Sequence, residues 1–164
     1  MNIRACEIKD IPSLCEIYNH YIEETVITFE EKAVTTEEMS RRVNSIQQSF
    51  PWLVCVRDNE VVGYAYASTW KERSAYRHTV EVTVYVKHSG VGKGVGKALY
   101  QALLELLKPA DYHILLACIA LPNEASVGLH EYFGFKKIAH FAEVGRKFNR
   151  WLDVGYWQKT NENL

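Results

Sequence analysis

The sequence has few cysteines, and none of them is arranged as a metal site or as a disulfide framework. Its four cysteines form no Cys-x-x-Cys pair and have no histidine close by; they are Cys6, Cys15, Cys55 and Cys118. Zinc sites and small disulfide-rich domains depend on such close spacings. We therefore interpret the cysteines as reduced thiols and expect no metal.

Long apolar runs and an excess of charge are missing as well. The chain has no run of 18 apolar residues and does not open on an apolar signal segment. Its 19 basic and 20 acidic residues are interspersed and give a net charge of −1, which provides no extended field to attract nucleic acid or a membrane surface. We expect a cytoplasmic protein that binds neither.

The remaining features predict a compact α/β (α+β) domain. With 164 residues, 48% of them hydrophobic, the chain can form one core, and we expect a single domain over 1–164. The pattern of elements is β-α-α-β-β-β-α-β-α-β-β, which predicts a mixed central β-sheet flanked by helices. The expected strands are Ile3–Glu7, Trp52–Arg57, Val61–Thr69, Thr79–Val86, Tyr112–Ile119, Phe135–Val144 and Trp151–Gln158.

Glycine is concentrated between the fourth strand and the helix that follows it. Four glycines occupy every second position: Gly90, Gly92, Gly94 and Gly96. Such a loop leaves several main-chain N–H groups free to bind one anion at a helix N-terminus. A P-loop requires Ser or Thr where Ala98 stands, and the G-x-G-x-x-G spacing is absent. A plain flexible turn is the alternative, but Lys93 and Lys97 favour a phosphate site.

Gly94-Val95-Gly96 resembles the Q/R-x-x-G-x-G/A pyrophosphate loop of the GNAT acetyltransferases, which bind acetyl-coenzyme A there. The resemblance to the phosphinothricin N-acetyltransferase group is closer and extends from about Ile3 to Gln158. It implies the GNAT fold, acetyl-CoA as co-substrate, a small-molecule amine acceptor and a homodimer. The segments that carry it are Asn19-His20-Tyr21, Trp70-Lys71-Glu72-Arg73, Thr79-Val80-Glu81, Leu121-Pro122-Asn123, Leu129-His130-Glu131 and Asp153-Val154-Gly155-Tyr156-Trp157-Gln158.

The resemblance also implies the cofactor contacts. The Gln or Arg of the loop motif is replaced by Val91, so the loop would bind mainly through its main chain. We expect main-chain N–H groups of the central strand at Val84 and Val86 to polarise the thioester carbonyl. Asn123 and Ser126 would lie along the pantetheine arm, although Asn123 is also a fair helix N-cap. The expected loop contacts are Val91, Gly92, Lys93, Gly94, Val95, Gly96 and Lys97.

Two residues are expected to perform the proton transfers. Glu81 alternates with the valines of the central strand and matches the glutamate taken as the general base in the phosphinothricin group; partial burial would raise its pKa. A glutamate facing solvent at a strand edge is the alternative. His130 takes the position of the tyrosine that protonates the departing thiolate in GNAT enzymes. Tyr132 competes for that role, and a surface histidine is the alternative for His130.

The acceptor side is expected around a loop rich in cations and aromatic rings. Arg73 or Arg77 could pair with a substrate carboxylate, and Tyr76 could cover its side chain; a solvated loop is the alternative. The resemblance adds Phe29 to this pocket, and we place Tyr85 there because it shares a strand face with Glu81. The segment from Lys147 to Trp151 resembles one that reaches toward the pocket from a partner subunit.

These residues predict direct acetyl transfer to a small amino-acid analogue such as phosphinothricin, methionine sulfone or methionine sulfoximine. Two alternatives remain open. One is a GNAT enzyme for another acceptor class, namely a protein N-terminus, an aminoglycoside or a polyamine. The other is a coenzyme A sensor without catalysis.

Overall fold

The computed structural model describes residues 1–161, and the last three residues of the expected 1–164 domain lie outside the described part. Seven strands form one sheet in the order β1-β2-β3-β4-β5-β7-β6. Only the β4–β5 pair among these neighbours is parallel. The strands are β1 (Asn2–Ala5), β2 (Trp52–Arg57), β3 (Glu60–Thr69), β4 (Thr79–Val86), β5 (Ile114–Leu121), β6 (Lys136–Lys147) and β7 (Arg150–Thr160).

Helices cover both faces of the sheet, and strand alternation divides the core into two parts. In β2, Leu53 and Cys55 pack with the helix Val95–Leu107, whereas Trp52 and Val54 pack with the helices Ile11–Glu24 and Thr36–Gln47. Successive side chains of a strand point to opposite faces, so one short apolar strand contributes to both cores. The helices are α1 (Ile11–Glu24), α2 (Thr36–Gln47), α3 (Val95–Leu107) and α4 (Glu124–Tyr132).

The predicted order of elements and the mixed α/β class are confirmed, while several strand limits differ. The β6–β7 hairpin is longer than predicted because a two-residue turn, Phe148-Asn149, joins its strands with φ of 50° and 57°. Such a turn lets pairing continue to its edge, and Lys147 pairs with Arg150 there. Strand β5 lies two residues later than predicted because its pairing with β7 continues to Leu121.

Two helices of the sheet's first face begin with different side-chain contacts. The Thr35 side chain accepts a hydrogen bond from the Glu38 N–H at the start of α2. Asp10 precedes α1 but does not cap it through its side chain. Its carboxylate instead accepts hydrogen bonds from Arg4, at 2.6 and 2.8 Å, and from the Glu7 N–H at 2.8 Å. Asp10 therefore ties β1 to the start of α1.

Helix α3 offers a matched test of the core. Leu103 is fully buried, whereas Leu106 on the same helix is 52% exposed. We expect Leu103→Ala to lower the free energy of unfolding by about 3 kcal/mol, because it removes buried methyl groups and leaves a cavity. Leu106→Ala should change it by about 0.5 kcal/mol or less. Urea unfolding of both variants measures the difference, and equal losses would contradict this assignment of the core.

Candidate active site

Strands β4 and β5 separate soon after they meet. Their pairing covers three residues of each strand, Thr79–Glu81 against Ile114–Leu116. Strand β4 then continues to Val86, paired on its other edge with β3. Every second N–H and C=O of this part of β4 faces the opening gap. The divergence therefore creates a cleft whose wall carries main-chain hydrogen-bonding groups.

A cavity of about 870 Å³ lies in this cleft. Side chains from β4, β5, α1, α3 and α4 line it, together with the loop that carries Phe29. It contains most of the site residues predicted from the sequence: Phe29, Glu81, Val84, Tyr85, Val86, Val91, Gly92, Gly94, Val95, Gly96, Lys97, Asn123, Ser126 and His130. The fold thus brings the predicted base, the predicted acid and the glycine loop together.

Residues of the glycine loop line the cavity. Gly94 has a φ of +79° and immediately precedes α3, and nothing lies within 4 Å of the position of an added Cβ. The first intrahelical bond is the Ala98 N–H to the Gly94 carbonyl, 3.0 Å. The N–H groups of residues 95–97 therefore lack intrahelical partners and belong to residues that line the cavity. The loop has the features of an anion site.

The side chains of the loop differ in their placement. Val91 is 53% exposed, and the Lys97 ammonium lies 4.0 Å from the centroid of the Tyr132 ring. Lys93 lines a separate cavity of about 190 Å³ beside the β2–β3 turn. Of the two loop lysines, Lys97 thus borders the large cavity.

Glu81 is the last residue of β4 that pairs with β5, so its side chain lies where the two strands separate. Burial raises the pKa of its carboxyl above the ordinary glutamate value. The Glu81 carboxylate in turn contributes to the raised pKa values of Tyr66, Tyr100 and Cys118, for each of which burial is the larger cause. Glu81 is therefore placed to accept a proton within the cavity.

His130 is a buried residue of α4 with 3% of its surface exposed. Its Nδ1 lies 2.7 Å from the Ser126 carbonyl oxygen, and because a carbonyl only accepts, Nδ1 carries the proton. Nε2 then accepts from the Tyr100 hydroxyl at 2.7 Å. Burial lowers the pKa of His130, so the imidazole is neutral at neutral pH. Tyr132, the competing candidate, also lines the cavity but is 63% exposed.

Tyr100 is a site residue that the sequence analysis missed. It is fully buried, lines the cavity and contacts the His130 ring edge-to-face at 5.0 Å. The sequence signal was available but weak, since a tyrosine within the apolar stripe of α3 has the same pattern as an ordinary core residue. Only the fold reveals that its hydroxyl reaches His130.

Several residues predicted for the acceptor side lie elsewhere among the described residues. None of Arg73, Tyr76 and Arg77 lines the large cavity; Arg77 donates to the Ser74 carbonyl at 3.1 Å. Trp151 is 60% exposed and lines a second cavity of about 730 Å³. Lys147 is 2% exposed, and its ammonium donates to the Thr28 carbonyl at 2.8 Å. It therefore does not extend outward from the hairpin.

Two observations restrict the kinds of site in the described chain. Among residues 1–161, no group of three or more His, Cys, Asp or Glu side chains is arranged to hold a metal ion. None of the helices formed by these residues has the length and apolar character needed to cross a bilayer.

The site combines a glycine loop at a helix N-terminus, a cleft between separating parallel strands, a partly buried carboxylate and a buried histidine. These are the features that the sequence resemblance implies for the class of acyl-CoA-dependent transferases. Residues 3–155 match the family described as the acetyltransferase (GNAT) domain. The chain belongs to the GNAT acetyltransferase family. It is an acetyl-CoA-dependent N-acetyltransferase.

Three relatives illustrate the similarity. The phosphinothricin N-acetyltransferase of Streptomyces viridochromogenes is 38% identical, over 99% of this chain and 88% of the relative. The L-methionine sulfoximine/L-methionine sulfone acetyltransferase of Pseudomonas aeruginosa is 35% identical, over 96% of this chain and 92% of the relative. The crystal structure of a phosphinothricin acetyltransferase from Sinorhizobium meliloti in complex with acetyl-CoA matches at 32% identity and a TM-score of 0.95, covering 98% and 88% of the chains.

The burial of Glu81 predicts a pH-dependent cost to stability. Because its pKa is raised in the folded state, the folded protein binds this proton more tightly than the unfolded chain, and stability falls as pH rises through the folded-state pKa. We expect Glu81→Gln to unfold at higher urea than the wild type at pH 8, and the difference to vanish in acid. The exposed Glu72→Gln serves as control. Parallel pH dependences of wild type and Glu81→Gln would contradict this burial.

Proposed function

We propose that the protein acetylates the amine of a small amino-acid analogue of the phosphinothricin, methionine sulfone or methionine sulfoximine type. The observation that carries this proposal is the partly buried Glu81 carboxylate at the point where β4 and β5 separate, in the same cavity as the glycine loop. The names of the relatives from Streptomyces and Pseudomonas support the acceptor class. We propose that residues 1–164 form one domain.

The glycine loop and the cleft are proposed to hold the cofactor. Residues 91–97 bind the pyrophosphate, mainly through main-chain N–H groups at the start of α3. The main chain at Val84 and Val86 orients the thioester, and Asn123 and Ser126 border the pantetheine arm. Bound acetyl-CoA supplies the thioester carbon that the amine attacks, so that a C–N bond forms as the C–S bond breaks.

Protons move in two steps in this proposal. Glu81 accepts the proton of the ammonium group, for which its raised pKa is suited. The sulfur receives its proton through the His130–Tyr100 pair. Nδ1 of His130 donates to the Ser126 carbonyl and Nε2 accepts from the Tyr100 hydroxyl, so the Tyr100 hydroxyl would give its proton to the departing thiolate and take up the second proton that the nitrogen loses as the amide forms. Because the Glu81 carboxylate helps to raise the pKa of Tyr100, protonation of Glu81 makes the Tyr100 proton easier to lose. The two steps are therefore coupled through charge.

Acceptor recognition is proposed to involve the loop before β4 and the aromatic wall of the cavity. Arg73 or Arg77 would bind a substrate carboxylate, with Tyr76 against the side chain. These three residues do not line the cavity, but they lie on the loop that leads directly into β4, which begins at Thr79, two residues before Glu81. Phe29 and Tyr85 line the cavity itself.

Glu81→Gln tests the proposed base. We expect kcat for amino-acid analogues to fall by about 100- to 10,000-fold, in line with loss of general-base catalysis, while the KM for acetyl-CoA changes little. Free thiol release measured from pH 6 to 9 gives both values and should show that the variant lacks the acidic limb of the wild-type profile. Unchanged turnover across this range would remove Glu81 as the base.

An acceptor panel in the same assay separates the alternatives. Reaction of the wild type with phosphinothricin or methionine sulfone supports the proposed class. Reaction with only N-terminal peptides, aminoglycosides or polyamines would contradict it. Cofactor binding without thiol release from any amine would identify a coenzyme A sensor instead.

We also propose a homodimer in the cytoplasm. Large exposed apolar side chains are concentrated on the β6–β7 hairpin: Ile138, Phe141, Val144, Phe148 and Trp151. Such a concentration is typical of an interaction surface, and the sequence resemblance implies a partner copy at this segment. The four cysteines are free, which is typical of a reducing compartment.

Val144→Glu tests the dimer. Val144 is 59% exposed on the hairpin, and Leu106 is 52% exposed on α3, so the two positions allow matched substitutions. We expect Val144→Glu to convert dimers into monomers, because a charge would be buried in the interface, whereas Leu106→Glu should leave the dimer intact. Sedimentation velocity measures the oligomeric state of the wild type and of both variants. A wild type that is monomeric at high concentration would refute the dimer.

A further inference from the structure

The Phe29 ring, which lines the cavity, rests directly on a glycine of β6. An added Cβ at Gly145 would lie 2.2 Å from Cε2 and 2.7 Å from Cδ2 of this ring. Real Cβ atoms do not approach that closely, so any larger residue at 145 must displace the ring. The same ring also lines the cavity. Its displacement from β6 therefore changes the shape of the space proposed for the acceptor.

Lys147, two residues further along β6, holds the main chain beside Phe29. Its Nζ donates to the Thr28 carbonyl at 2.8 Å and makes a longer contact of 3.5 Å with the Tyr21 carbonyl. The side chain is 2% exposed, and burial lowers the pKa of the ammonium. A buried cation needs hydrogen-bond acceptors, and the Thr28 and Tyr21 carbonyls provide them. Lys147 thereby fixes the position of the loop that carries Phe29 relative to the hairpin.

The other side of the same loop is anchored to α1 and α2. The Glu30 carboxylate forms a bidentate ion pair with the Arg42 guanidinium, with N···O distances of 2.7 and 2.9 Å. It also accepts a hydrogen bond from the Tyr18 hydroxyl. The Thr28 hydroxyl lies 2.9 Å from the Tyr18 hydroxyl. Residues 28–30 are thus held from both sides, so the Phe29 ring, which is 37% exposed, can be displaced from β6 only by rotation of its own side chain.

From this arrangement we propose that β6 determines the size of acceptor that the enzyme takes: Gly145 seats the Phe29 ring and Lys147 positions the loop that carries it. This inference rests on the proposed function, because it assigns the wall of the proposed acceptor pocket. Gly145 and Lys147 are positioning residues, since each acts through Phe29 or its loop. The role assigned to Lys147 replaces the substrate contact expected from the sequence.

Steady-state kinetics with a small and a large acceptor test this inference. We expect Gly145→Ala to raise the acceptor KM by about tenfold or more, the scale of one methyl group in a tight pocket, with the larger acceptor affected more. The KM for acetyl-CoA should stay within about twofold. Lys147→Met should raise the KM of both acceptors without that size bias, because the loop is released rather than pushed inward.

Two control variants isolate the ring. In the Phe29→Ala background the added methyl at 145 meets no ring, so Gly145→Ala should change acceptor KM by less than about twofold. Gly128→Ala is the matched glycine control, since nothing lies within 4 Å of its added Cβ. Equal effects of Gly145→Ala with and without Phe29, or no effect in either, would overturn the inference.

Failure of the inference and failure of the proposed function are distinguishable. If the wild type acetylates no amino-acid analogue, the proposed function fails. The seating of the ring is then still tested by a crystal structure of Gly145→Ala, in which Phe29 should adopt a different side-chain rotamer that points into the cavity. If the ring stays on β6 in that structure, the inference is wrong whatever the acceptor.

Discussion

The early separation of β4 from β5 is the constraint on which the site depends. Three residues of each strand pair, and beyond Glu81 the two strands diverge. A sheet that kept its pairing to Val86 would satisfy the main-chain groups of β4 and close the cleft. The divergence instead leaves one edge of β4 available to a ligand. The position of Glu81, the opening of the cavity and its continuation to the glycine loop all follow from it.

Burial is the second constraint on the site, because it shifts the pKa values of the groups in the cleft. It favours the protonated form of Glu81 and the neutral form of His130. Fixed hydrogen bonds then decide where the His130 proton lies, with Nδ1 bound to the Ser126 carbonyl and Nε2 to Tyr100. The acceptor wall is organised differently, since Phe29 is placed by main-chain and ion-pair contacts on both sides of its loop.

The parts of the fold and of the site that could be predicted from the sequence depend on local patterns. The glycine spacing, the alternation around Glu81 and the Asn123 cap of α4 each arise within a few residues, and the Asn123 side chain does accept from the Ser126 N–H. Contacts between distant residues were not predictable in this way. Tyr100 meets His130 across 30 positions, and Lys147 meets Thr28 across 119. In the sequence, the first has the pattern of a core aromatic and the second of a surface cation.

Hydrogen–deuterium exchange with and without acetyl-CoA tests the central claim most directly, because it reports on the main-chain groups themselves. If the free edge of β4 and the start of α3 bind the cofactor, exchange should slow at residues 82–86 and 92–97 on addition of acetyl-CoA, while β2, which lies two strands away, should be unaffected. Saturable binding with protection confined to other segments, or no protection at all, would contradict the account.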